Sequence, residues 1–380
     1  MDLRLPEDVA LLQTETRRLV DRELRPATIA IERARAFPPH LVATLRDLGY
    51  FGLTIPERYG GMGVSCLGHL VAQEELGRAH PAWNLLLSGN NGIGVAGLLL
   101  DGSEEQRRRF LPRIASGEHV AAFALTEPGA GSDAAAIETR AVPVGDGRWR
   151  IDGVKHYITR ADIADVVTVF ALTDAAKRAR GGITAFLVEK GTPGFRMARI
   201  QDSMGSDVVK QGELVFDGCE VDADHVVGGV GQGFATAMRT LDLGRLSLAA
   251  RCLGMMEEVQ ALALEWARMR RQFGRALVEM PAIQAMLADT AVDIAVLRPA
   301  LYRAGARRDA GEDVHHDAAM LKLFASEALG RAADRAVQIH GGTGFMKECA
   351  VEIFYREARM MRIIEGTSEI QRMVIARGLR

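Results

Sequence analysis

The chain is short of cysteine, lysine, net charge and long apolar runs, and each shortage excludes something. Its four cysteines, Cys66, Cys219, Cys252 and Cys349, stand far apart with no CxxC pair. That spacing gives neither a zinc motif nor a disulfide framework, so no metal site is expected. Only six of the 47 basic residues are lysine, the other 41 being arginine, and 49 acidic residues leave a net charge of −2. No net field remains to gather nucleic acid or an anionic membrane. The arginine preference reads as a compositional bias rather than a phosphate-reading surface. No apolar run approaches the roughly 20 residues of a bilayer span. The opening stretch, MDLRLPEDVALLQTETRRLV, carries charges where a secretory signal would have an apolar core. A cytoplasmic protein is the expectation.

What is present is a chain of 380 residues, 48% hydrophobic and 25% charged, ordinary for a globular enzyme and long enough for two or three domains. Its character changes twice. Over 1–120, PEDVALLQTETRRLVDREL, PPHLVATLRDLGY, CLGHLVAQEELGRAH and SEEQRRRFLPRIASG space apolar residues at helical intervals. Over 121–232 the pattern turns to short strands: HVAAFALTE, VVTVFAL, ITAFLVEK and GELVFDGCEV. Within RWRIDGVKHYIT, the Asp152-Gly153 pair predicts a hairpin turn. Over 233–380 long helical patterns return. The expected fold is α+β: an N-terminal helical domain, a small middle β-barrel or sandwich, and a C-terminal helix bundle.

One carboxylate stands out. In RMMRIIEGTSEIQR, Glu365 follows two isoleucines and precedes Gly366, which frees the backbone to turn. Ser368 and Gln371 fit a capping box, which restarts a helix there. A glutamate at such a junction is poorly hydrated, and desolvation raises its pKa toward the range of a useful general base. Other stretches offer backbone to a ligand: TEPGAGSD at 126–133, with Thr126 and Ser132 as hydroxyl donors, and QIHGGTGF at 338–345. GGVGQG at 228–233 lacks a surrounding βαβ unit and reads as a loop leading into a helix. RRQFG at 270–274 reads as a helix end, His340 as a surface or packing residue, and His315-His316 as an exposed pair outside any metal site.

TEPGAGSD, the Tyr157-Ile158-Thr159 strand end, LDLGR, RRQFG, QIHGGTGF and IIEGTSEIQR occur in the order and at about the spacing of the acyl-CoA dehydrogenase family of flavoproteins, which the chain resembles over essentially its whole length. The resemblance implies FAD as cofactor. Phe123, Leu125, Thr126 and Ser132 match positions lining the flavin. Tyr157, often tryptophan in the family, and Thr159 match contacts to its ring system. Arg270, Gln272 and Phe273, with Gln338, Gly341 and Gly342, match segments that reach the FAD of a neighbouring subunit. Thr367 and Glu369 match a further cofactor contact. Such sharing implies a homotetramer built as two dimers.

Glu365 matches the family's catalytic base. Ser132, Asp242, Arg245 and Gly366 match the thioester site; otherwise Asp242 and Arg245 read as a helix-surface i, i+3 ion pair. Relatives that carry the base on the long helix place it just before Arg245, where this chain has Gly244. The resemblance further implies an acyl-CoA substrate and an electron-transfer flavoprotein as electron acceptor. The alternatives are a biosynthetic acyl-carrier-protein or specialised-CoA dehydrogenase, and a flavin-bound scaffold or nucleic-acid-binding relative, against which the near-neutral charge and the presence of Glu365 speak. Departures fall at Ile364, Pro281 and 207–210. Asn90 and Asn91 lie in the region that lines the acyl tail, where they leave room for a polar or branched acyl group.

Overall fold

A computed structural model of the chain describes residues 4–205 and 207–379. The N-terminal third is helical: α1 (Glu7–Leu19), which runs on into a wider turn, α2 (Thr28–Ala34), α3 (Pro39–Asp47), α4 (Cys66–Gly77), α5 (Ala82–Asn91), α6 (Ile93–Asp101) and α7 (Glu104–Ala115). Local chemistry sets the starts. The Ser65 hydroxyl accepts the Gly68 N–H at the head of α4. Ser103 and Gln106 cap α7 reciprocally, at 2.9 and 3.1 Å. Gln106 also reaches the carbonyls of Asp224 and Val226, stitching α7 to the sheet. The α5–α6 break is enforced at Gly92, where a Cβ would lie 2.6 Å from Ser88 O.

Asn90 and Asn91, beside that break, are committed to backbone. Asn90 donates to Ile114 O and His119 O and accepts from Ala121 N. Asn91 donates to Tyr50 O and Leu87 O and accepts from Thr54 N. Both are buried. The expectation that they confront the acyl tail as polar groups is corrected: their amides are spent on main-chain groups of neighbouring segments.

The middle third is one sheet: β1 (Ala121–Ala124), β2 (Arg140–Gly145), β3 (Arg148–Thr159), β4 (Val166–Leu172), β5 (Ile183–Glu189), β6 (Phe195–Gln201), β7 (Gln211–Asp222) and β8 (Val226–Val227). The order is β6-β7-β3-β2-β4-β5-β8, with β1 parallel to β4. Alternation along β4 explains its double burial. Val166, Phe170 and Leu172 join a core shared with the helices, and Val167, Val169 and Ala171 join one lined also by β3 and β7. The sheet therefore folds over on itself as a sandwich.

The hairpin expected at Asp152-Gly153 is not there. β3 runs straight through both residues, and the turn lies at Asp146-Gly147, with φ of 50° and 70°. Gly153 instead marks a register shift against β7. Its φ is 152°, and a Cβ there would stand 2.7 Å from the Thr139 Cα. The pair serves a bulge, the other common use of a strand glycine.

The last third holds α8 (Gly233–Met269), a small hairpin of β9 (Arg271–Gln272) and β10 (Arg275–Ala276), α9 (Pro281–Asp309), α10 (His315–His340), α11 (Ala350–Met361) and α12 (Ser368–Gly378). Pro281 opens α9, where its missing N–H costs nothing. α8 is the spine, 37 residues or about 55 Å long. It crosses α4 at backbone contact. A Cβ on Gly77 would be 2.7 Å from Arg251 O, and one on Gly254 would overlap Glu74 O. Of the described residues, no helix is long and apolar enough to cross a membrane.

Candidate active site

α11 stops at Met361, and the chain turns through Glu365 and Gly366, both left-handed at φ 56° and 91°. A non-glycine residue there costs roughly 1–2 kcal/mol. Hydrogen bonds hold the corner. Buried Lys322 of α10 donates from Nζ to Gly366 O at 2.8 Å. Gln371 donates to the carbonyls of Glu365 and Gly366 at 3.1 and 3.0 Å, and Arg245 to Glu365 O at 3.3 Å. The expected Ser368–Gln371 capping box is therefore corrected by one residue. Thr367 caps α12, accepting from Ile370 N, while Gln371 turns inward to the corner.

The Glu365 side chain lies against α8 and the start of α6. A Cβ on Gly244 would overlap its Oε2 and stand 2.6 Å from Ile93 Cγ2. Gly244 thus clears the space the carboxylate occupies. The residue is only partly buried, yet Oε2 is sealed from solvent and has no hydrogen-bond partner. Burial pushes the Glu365 carboxyl up to about 7, against the pull of Lys322, Arg245 and Arg251. Burial also brings the Lys322 ammonium down to about 8, with Glu365 opposing. Among the described residues the Glu365 N–H donates to nothing. An unpaired base and a free N–H therefore sit on one residue.

Asp242 and Arg245 do form an i, i+3 pair at 2.7 Å, but a largely buried one, and Asp242 also takes His315 Nδ1 at 2.9 Å. His315 is thus tied down, contrary to the reading of an exposed pair; His316 is exposed. His340 is a packing residue, stacked on Trp266 at 5.1 Å. Reasoning from sequence missed Lys322. Its signal is a lysine, in a chain with six, placed at apolar spacing in AAMLKLFAS.

The sheet carries a second group. Phe123 packs on Phe170 at 4.9 Å and Leu125 is buried, so what these two offer a ligand is main chain. The loop after β1 is open. Cβ atoms on Gly129 and Gly131 would meet nothing, Ser132 is exposed, and the N–H groups of Gly131 and Ser132 are free among the described residues. Tyr157, 64% exposed at φ 58°, stacks flat on His156 at 4.2 Å and presents its other face outward. Thr159 is half-buried beside it. Free N–H donors, open glycines and an outward aromatic face fit a flat, anionic cofactor such as FAD.

Arg270, Gln272, Phe273, Gln338, Gly341 and Gly342 form a third group and are all exposed. They share the far end of the bundle, where Trp266 meets His340. Gly244 and Arg270 are about 26 residues, or roughly 39 Å, apart along α8. One protomer does not bring this group to Glu365. Thr367 and Glu369 do belong to the Glu365 corner, at the start of α12.

Comparison with known proteins agrees with this architecture. The N-terminal, middle and C-terminal domain models of acyl-CoA dehydrogenase match residues 6–118, 122–219 and 231–380. An acyl-CoA dehydrogenase of Bacillus subtilis is 37% identical over 377 residues, 99% of each chain. Butyryl-CoA dehydrogenase from Megasphaera elsdenii superposes with a TM-score of 0.95 at 35% identity, covering all of both chains. A chain in a structure described as the electron transferring flavoprotein of Acidaminococcus fermentans superposes at 0.96 with 37% identity, covering 100% of this chain and 99% of that one. The chain belongs to the acyl-CoA dehydrogenase family.

Proposed function

We infer that this protein is an FAD-dependent acyl-CoA dehydrogenase that converts an acyl-CoA thioester to the 2-enoyl-CoA. The observation that carries the reading is the Glu365 corner, where a desolvated carboxylate with an unpaired oxygen stands beside its own free N–H. Glu365 takes the proton α to the thioester carbonyl. The free N–H beside it is placed to polarise that carbonyl as charge develops on its oxygen. Ile364 and Gly244 keep the surroundings apolar and close, so the base stays desolvated. FAD, when bound, supplies the two-electron acceptor for the β-hydrogen. Thr126, Ser132, Tyr157 and Thr159 would hold it from one subunit.

Arg270, Gln272, Phe273, Gln338, Gly341 and Gly342 would hold it from a neighbour, in a homotetramer. Two features support sharing: the roughly 39 Å of α8 between Arg270 and Gly244, which stands against Glu365, and Phe273 and Phe345, 94% and 80% exposed at the same end of the bundle. Exposed rings of that size mark an interaction surface. Electrons would leave to an electron-transfer flavoprotein. Four free cysteines suit a reducing, cytoplasmic setting.

The test is anaerobic mixing of the flavin-loaded protein with a panel of acyl-CoAs, following loss of the flavin's blue-light absorption. Bleaching by one acyl class is expected. Glu365→Gln should retain FAD and bleach about 10²–10⁴-fold more slowly. A variant near the wild-type rate would overturn the mechanism, and a flavin bleached only by carrier-protein thioesters would replace CoA as the carrier.

A further inference from the structure

Arg160 is a buried cation with few partners among the described residues. It follows Thr159 at the end of β3, at φ 64°, a conformation that is strained for a non-glycine residue. The residue is 2% exposed. No carboxylate pairs with it among the described residues; Asp162, which is exposed, attracts it only from a distance. Its guanidinium donates once, from Nη1 to Leu86 O at 3.1 Å, and its Nε is sealed from solvent with no partner at all. Burial lowers its pKa to about 10, which still leaves it a cation at neutral pH. A buried, half-satisfied charge is expensive, and a side chain that merely filled the space would avoid that cost.

The surroundings are shaped to admit it. A Cβ on Gly89 would fall inside the guanidinium, so α5 carries no side chain where Arg160 enters. Gly89 is four residues before Ile93, whose side chain shares with Glu365 Oε2 the space over Gly244. With consecutive Cα atoms about 3.8 Å apart, the two positions are no more than about 15 Å apart. The cation and the base thus bracket the α5–α6 junction, where a Cβ on Gly94, the residue after Ile93, would stand 2.6 Å from Gly89 O. The Asn90 and Asn91 amides between them are saturated by backbone, so they neither neutralise Arg160 nor compete with it.

We propose that Arg160 is a specificity-determining residue that receives an anionic acyl terminus, so that the substrate is the CoA thioester of a short dicarboxylic acid. This rests on the dehydrogenase reading above. Guanidinium and carboxylate match in geometry and charge, and in a site closed to water the pair supplies discrimination that an apolar wall does not. The chemistry at Cα and Cβ is unchanged. The terminal carboxylate stays intact and serves only for recognition.

The test compares matched pairs in the flavin-loaded protein: glutaryl-CoA against pentanoyl-CoA, and adipyl-CoA against hexanoyl-CoA. The readout is the ratio of kcat/KM within each pair, which cancels any loss of folded protein. In the wild type the diacid should be preferred at least tenfold in one pair, about what one charge-assisted hydrogen bond provides. Arg160→Met should bring that ratio below one, chiefly through KM for the diacid, and Arg160→Lys should restore part of it. Ratios at or below one for both pairs in the wild type, or a ratio that Arg160→Met leaves in place, would overturn the proposal and leave the dehydrogenase standing. A flavin that no acyl-CoA bleaches would overturn both.

Discussion

Replacing Glu365 by glutamine should make the protein more stable as well as nearly inert. The carboxyl rises from 4.5 in a solvated chain to about 7 in the fold. Holding the carboxyl at about 7 instead of 4.5, at about 1.36 kcal/mol per tenfold change in acidity, means that the folded, ionised state costs about 3 kcal/mol. That cost is net of the attraction from Lys322, Arg245 and Arg251. The sign follows from linkage. Where folding raises a carboxyl's pKa, no penalty exists below the unfolded value; it grows between about 4.5 and 7 and is constant above. Glutamine imitates the protonated acid at every pH. At about 2.1 cal/mol/K per residue, a chain of this length has an unfolding entropy near 0.8 kcal/mol/K, so about 3 kcal/mol is about 4 °C in Tm. The assay is thermal unfolding of wild type and Glu365→Gln at equal FAD saturation, from pH 5 to pH 8. The advantage of the variant should be small at pH 5 and largest above pH 7. An advantage that did not vary with pH, or a variant less stable than wild type at pH 8, would refute the argument that Glu365 is held desolvated.

Other outcomes follow from contacts described above. Gly244→Ala puts a methyl group where Glu365 Oε2 lies, and should slow flavin reduction about 10²-fold by displacing the base while FAD absorbance is kept; stopped-flow bleaching reads the rate. Asn90→Leu abandons three buried backbone partners and should cost more than about 3 kcal/mol in denaturant unfolding. The order of preference among acyl-CoAs should stay the same in whatever protein remains folded. Phe273→Ser removes about 2 kcal/mol of burial from each shared site; sedimentation should show smaller species, and the flavin-to-protein ratio should fall with them.

The periods of the helices and strands carried the layer order, because burial of one face writes itself into spacing at 3.6 or 2. Where several local structures satisfy the same residues, the sequence was ambiguous. Asp152-Gly153 suits a hairpin or a bulge, and the choice was made by Thr139, just before β2. Thr367 and Ser368 are both good caps, and the choice fell to Thr367 because Gln371 was needed at the corner. α5 and α6 escaped singling out because apolar residues surround both, and a helix buried on all sides loses its stripe. Glu365 was legible from its neighbours and from the motifs around it. Lys322 and Arg160 were not, since a charged residue shows its burial only once the elements around it are packed.

The contact between Gly77 and Gly254 sets a limit on exchange between relatives. Residues 1–120 and 233–380 look like separable modules on paper, with the sheet as a natural joint between them. At this crossing, however, main chain meets main chain, with no side chain to flex and absorb a mismatch. A chimera taking its first third from another protein inherits the crossing only if both glycines arrive together. One recombined parent with alanine or larger at either place would prise α4 from α8, and with it the helix that carries Gly244 and Arg245. Inheritance along this chain is therefore expected to be by whole sequence, with variation confined to the acyl end of the site and to the exposed tip of the bundle.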